Sequence, residues 1–198
     1  MPAGERIIPQ THTLAHGLTH EHVSRYLFER SDFEAAKPLL LHVLELSDDP
    51  CLAVVSDNNR KMSEIRADVL FCLSAVSAQT GEDMHRNLGY ARDHFDLRAK
   101  LQDGTEFGEA RMAMAHGELA HIQMLAGQYQ DAIHHSQVAI DMTEASADFR
   151  GGFDFPTFAS THQAFALAAL GQYAKAMHRM QLALDYWTTH SSEGHSFQ

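Results

Sequence analysis

The sequence predicts an all-α chain, an α-solenoid of about four antiparallel helix pairs. Three observations lead to that expectation. A fifteen-residue stretch occurs twice, at an offset of 44 residues. Glycine or serine punctuates the chain at residues 31, 81, 127 and 171, with spacings of 50, 46 and 44. Between those points apolar residues return at helical spacing.

The repeat is clearest in the second half. Gly127–Asp141 reads GQYQDAIHHSQVAID and Gly171–Asp185 reads GQYAKAMHRMQLALD. Eight of the fifteen positions are identical: Gly127/Gly171, Gln128/Gln172, Tyr129/Tyr173, Ala132/Ala176, His134/His178, Gln137/Gln181, Ala139/Ala183 and Asp141/Asp185. Ile133/Met177, Val138/Leu182 and Ile140/Leu184 differ but stay apolar. The frame recurs upstream, where Ser31, Phe33, Ala36, Leu40, Val43 and Leu44 fill the same slots. After Gly81, Met84, Leu88, Ala91 and Phe95 keep an apolar helical face.

Each punctuation point joins two helices. Ile65, Val69, Leu73 and Val76 form one face before Gly81. Phe107, Ala110, Met114, Leu119, Ile122 and Leu125 do so before Gly127. Glycine supplies the left-handed residue that ends the first helix, and so short a connection makes the pair antiparallel. Ala113, Gly117 and Ala120 make a small-residue stripe for close helix approach, with Ala132 and Ala139 opposite and Tyr129 as a wedge. Gly117 costs about 1 kcal/mol against alanine inside a helix, which points to a packing role. Thr19, Asp32, Asp57 and Thr105 are expected N-caps. The stretch Ser146–Pro156 reads as a loop from its Gly151-Gly152 pair and Pro156. Residues 1–18 are expected to be a flexible leader, 19–189 the repeat domain and 190–198 a flexible tail.

These residues resemble the tetratricopeptide repeat (TPR). Gly127-x-Tyr129-x-x-Ala132 with Ala139, and Gly171-x-Tyr173-x-x-Ala176 with Ala183, carry its Gly, aromatic, Ala, Ala pattern. Phe33-Glu34-Ala35-Ala36-Lys37-Pro38-Leu39 is similar to a variant of long-repeat members and accounts for Pro38 inside a helix. The spacings place the likeness near kinesin-light-chain-like arrays. The usual Trp is missing, and Ala120 and Ala164 stand where Gly is frequent. The resemblance implies a right-handed solenoid and a non-enzymatic protein-binding role. It also implies a concave partner groove lined by Glu21 and Arg25, Asp68 and Phe71, Glu118 and His121, and Phe158, Thr161, His162 and Phe165.

Other chemistry finds little support. Formal charge is −11 with no basic run, so nucleic acid is not an expected partner. No apolar run approaches membrane-spanning length and no secretory leader is evident, so a cytoplasmic, membrane-free protein is expected. Cys51 and Cys72 read as reduced thiols, Cys72 within a helical core face. Fifteen histidines raise the question of a metal. His12, His16 and His20 have helical spacing, but no Cys, Asp or Glu completes a set. His116 and His121 are five apart and His134 and His135 adjacent, so these read as surface or groove residues. No phosphate loop, dinucleotide motif or nucleophile elbow occurs, and no cofactor, metal or catalytic residue is expected. Paired acids such as Asp48-Asp49 and Glu82-Asp83 read as helix-end groups.

Two other functions compete with an adaptor binding a peptide or protein segment. One is a regulatory sensor module of a signalling assembly. The other is an accessory protein of a small-molecule pathway. The last helix, about Gln172–Thr189, carries Met177, Met180, Leu182, Leu184, Tyr186 and Trp187 around more than half its circumference. Three uses of the excess are open: the tail Ser191–Gln198 folds back over it with Phe197, a further repeat follows in a longer array, or, the favoured one, a second copy packs there as a homodimer.

Overall fold

Four residues at equivalent points of the repeat hold left-handed backbone: Ser31 at φ 52°, Gly81 at 68°, Gly127 at 76° and Gly171 at 74°. The frame read from sequence is thus a frame in space. Serine at the first point adopts the same turn without a glycine's freedom. Hydrogen bonds complete the turns, with Gln128 N donating to Gln123 O and Gln172 N to Leu167 O, each at 2.9 Å or less.

The computed structural model describes residues 30–48, 56–57, 60–145 and 155–191. Among these residues the order is α1 Phe33–Ser47, β1 Ser56–Asp57, β2 Arg60–Lys61, α2 Met62–Thr80, α3 Met84–Leu101, α4 Glu106–Leu125, α5 Tyr129–Ala145, α6 Phe155–Ala169 and α7 Tyr173–Ser191. The described residues are all-α but for one antiparallel two-residue ladder, Ser56 opposite Lys61 and Asp57 opposite Arg60. It forms two compact units, Met1–Thr80 and Gly81–Gln198.

In the first unit α1 packs on α2. Asp32 caps α1, accepting from Ala35 N at 3.2 Å. Pro38 lies inside α1. Asp48 at the C-cap would oppose the helix dipole, but Arg66 of α2 answers it. The Arg66 guanidinium donates to Asp48 Oδ1 at 2.6 Å and Ser47 Oγ at 2.7 Å. Asp57 was expected to cap a helix. It stands in β1 instead, paired with Arg60, and α2 begins five residues later, directly after β2.

In the second unit each helix packs on its chain neighbour, and α4 also packs on α6. Asp83 caps α3 and Thr105 caps α4, its side chain accepting from Gly108 N at 3.1 Å. Asp103 Oδ1 accepts in turn from the Thr105 backbone N–H and hydroxyl, which lowers the Asp103 pKa. Ala132, Ala139, Ala176 and Ala183 are all buried, as are Ala113, Gly117 and Ala120. Ala159 of α6 meets Ala139 and Ile140 of α5, so short side chains bring these two helices close.

Pro156 was read as part of a loop. It is the second residue of α6, where its missing N–H has no intrahelical acceptor to lose. The leader, the tail from residue 192, Thr19, Cys51, Gly151 and Gly152, and His12, His16 and His20 lie outside the described residues. Cys72 is a buried thiol.

Candidate functional site

Helices α4 and α6 are the first helices of two successive pairs and lie against each other. That pairing brings four of the expected groove residues into one cluster. The ring of His121 on α4 stacks tilted on that of His162 on α6, with centroids 4.3 Å apart. Phe158, one turn before His162, sets its ring edge-on to both, at 5.7 Å from His121 and 4.2 Å from His162. Glu118 lies one turn before His121, its Oε2 4.0 Å from His121 Nδ1, too far for a hydrogen bond. Glu118 is buried, which is unusual for an acidic residue, and sets its carboxyl group beside the His121 ring.

The imidazoles are neutral at neutral pH. Burial lowers the His121 pKa to about 4, with a further contribution from His162. His162 is also lowered by burial, partly opposed by its bond to the Phe158 carbonyl. That bond, Nδ1 to Phe158 O at 2.8 Å, fixes the tautomer. Nδ1 must carry the proton, so Nε2 is an acceptor. The cluster therefore offers aromatic faces, one fixed acceptor and a neighbouring acidic side chain. Such a surface suits apolar, aromatic or basic side chains.

The remaining expected groove residues fall elsewhere. Phe165 is on α6, two turns beyond Phe158, and 51% exposed. Thr161 donates its hydroxyl to the Thr157 carbonyl at 2.7 Å, within its own helix. Asp68 and Phe71 are half-buried on α2 in the first unit. Glu21 and Arg25 lie outside the described residues.

A second histidine group was not read from the sequence as a cluster. His116 on α4 and His135 on α5 have their Nδ1 atoms 2.9 Å apart. Phe95 of α3 sets its ring edge-on to both, at 4.8 Å and 5.4 Å. Burial, followed by the charges of His135 and His134, lowers the His116 pKa to about 4. His94 of α3 lies in the core. It is 2% exposed and accepts from Arg98 Nε at 3.4 Å. One signal was available: His135 occupies the frame position of Arg179, which also turns inward, toward Gln137.

Among the described residues no group of three or more His, Cys, Asp or Glu is arranged to hold a metal ion. No described helix is long and apolar enough to cross a membrane.

The left-handed punctuation, the paired helices and the buried alanines define an all-α, TPR-like repeat fold. No family model matches the chain, and no curated protein matches it. Among solved structures it is similar to a Podosopora anserina kinesin light chain with nearly identical TPR-like repeats. The identity is 14% and the TM-score 0.40, over 91% of this chain and 98% of that one.

Proposed function

We propose that the chain is a non-enzymatic adaptor of the cytoplasm. It binds a peptide or protein segment on the face formed by the first helices of its pairs. The observation that supports this most is the cluster of His121, Phe158 and His162 beside Glu118. Aromatic faces at a half-buried site beside an acidic side chain favour a segment with apolar anchors and basic residues. Phe165 and Thr161 extend the proposed face along α6. Catalysis, nucleic acid and membrane binding have no part in the proposal.

A homodimer through α7 belongs to the same proposal. Met177 and Trp187 are 74% and 53% exposed, and Leu184 and Tyr173 are also open. In the frame of the repeat, Met177 and Leu184 match Ile133 and Ile140, which α6 helps to cover.

The test compares cross-linked pull-downs from cytoplasmic extract. Wild type is set beside a Phe165→Ser, His162→Gln variant with an unchanged circular dichroism spectrum. A partner lost with the variant, and rebuilt as a direct complex from purified proteins, supports the adaptor. Identical partner sets for the two proteins would refute this site.

A further inference from the structure

Helices α5, α6 and α7 border an open cleft of about 510 Å³, whose chemistry differs from that of the α4–α6 cluster. Its walls include Gln137 of α5 and Lys175, His178 and Arg179 of α7, and buried Gln163 and Leu167 of α6 also line it. The chain has 26 acidic residues, yet none of them lines this cleft. Basic groups are gathered here against the overall charge.

A chain of hydrogen bonds orients the polar lining. Gln137 Nε2 donates to Asp141 Oδ1 at 2.7 Å. That leaves Gln137 Oε1 to accept, and it does so twice, from Arg179 Nη2 at 2.9 Å and from Gln163 Nε2 at 3.2 Å. Gln163 Nε2 also donates to the Ile133 carbonyl at 3.2 Å. Both acceptors require the NH₂ of Gln163 on that side, so the amide cannot be reversed. Its oxygen then has no donor, although the residue is only 3% exposed. A buried acceptor left so costs free energy. Among the described residues no carboxylate pairs with Lys175 or Arg179.

We propose that this cleft binds a small organic anion. Lys175 and Arg179 take the anionic group, and Ile133 and Leu167 beside them take its carbon skeleton. The volume falls in the usual range for small-ligand sites, about 300–1,000 Å³. Amino acids and phosphorylated metabolites share this chemistry, and the experiment separates them. The site lies apart from the α4–α6 cluster and does not depend on the adaptor reading.

The test is isothermal titration of the full chain with L-glutamate and with O-phospho-L-serine. Acetate and sulfate, which lack a carbon skeleton of that size, are the controls. We expect one of the first two to bind with a Kd below about 1 mM and to raise Tm. The controls should bind at least about tenfold more weakly. Preference for glutamate assigns a carboxylate ligand, and preference for phosphoserine assigns a phosphate ester. The Lys175→Gln, Arg179→Gln variant changes largely surface charge and should keep its circular dichroism spectrum while losing affinity about tenfold or more. Three results would overturn the proposal. They are no binding by either probe, equal binding of acetate and sulfate, and unchanged affinity in the variant.

Discussion

Nδ1 of His116 and Nδ1 of His135 face each other at 2.9 Å, so one ring must donate and the other must be unprotonated. The pair can hold one proton between its facing nitrogens but not two. His121 and His162 make a second neutral pair by stacking rather than by a hydrogen bond. Each pair joins α4 to a different neighbour, α5 in one case and α6 in the other.

This arrangement makes stability depend on acid. His116 and His121 have pKa values lowered to about 4, against 6.5 when unperturbed. As pH falls below 6.5 the unfolded chain takes up protons first, and the folded chain follows only near 4. Their contribution is thus complete above the upper value and is lost through the window below it. Each kcal/mol is worth about 2–4 °C in a chain of this size, and a Tm lower by about 4 °C or more is expected at about pH 5 than at about pH 7. A His116→Asn, His121→Asn variant should show a shallower fall in the same melting series. An equally steep fall in both proteins would contradict the assignment.

Crossing positions should not tolerate bulk. Ala132 is 0% exposed at the base of α5, and Ala176 is its counterpart in α7. Ala132→Phe should cost about 1–3 kcal/mol or more by forcing α4 and α5 apart. Ala176→Phe should act likewise at the crossing of α6 and α7. Thermal melts compared with wild type decide this, and unchanged Tm values would show the repeat alignment to be wrong.

The left-handed residues lead to a pair of opposite expectations. Gly127 has open space around the position of a side chain, so Gly127→Ala suffers backbone strain alone. A loss of about 1–2 kcal/mol is expected. Ser31 already bears that strain at φ 52°. Ser31→Gly should therefore stabilise, by less than about 1 kcal/mol, since glycine has more freedom to lose on folding. Urea denaturation with unchanged slope would measure both.

Association through α7 has a direct check. Light scattering should show a dimer at micromolar concentration, and a Trp187→Glu, Leu184→Lys variant should be monomeric. A monomeric wild type would remove the dimer from the proposal. A dimer untouched by the two changes would place its interface elsewhere.

Local chemistry was the part of this fold that the sequence showed well. Glycine before a helix, Asp32 and Thr105 as caps, and alanines at the crossings each act within a few residues. Pro156 and the ladder at Ser56–Lys61 were missed for a related reason. A proline suits both a loop and a first helical turn, and two-residue strands leave no alternation to read. The site was legible only through the repeat frame. That frame put His121, Phe158 and His162 on the same face of successive pairs, but their contact depends on the register of α4 against α6. The bond between His116 and His135 depends likewise on how α4 meets α5. The inward turn of Gln163 follows from hydrogen bonds to Ile133 and Gln137, which no spacing rule encodes.

Among the described residues α7 packs chiefly on α6, whereas α4, α5 and α6 each have helices on more than one side. Heat or pulling force should therefore peel the second unit from that end, one helix at a time, instead of breaking it throughout at once. An architecture that comes apart by the pair can also be assembled by the pair. The likeness of Gly127–Asp141 to Gly171–Asp185, identical at eight of fifteen positions, fits a gene segment copied in tandem, with each new copy resting on the previous one and leaving the older interfaces undisturbed.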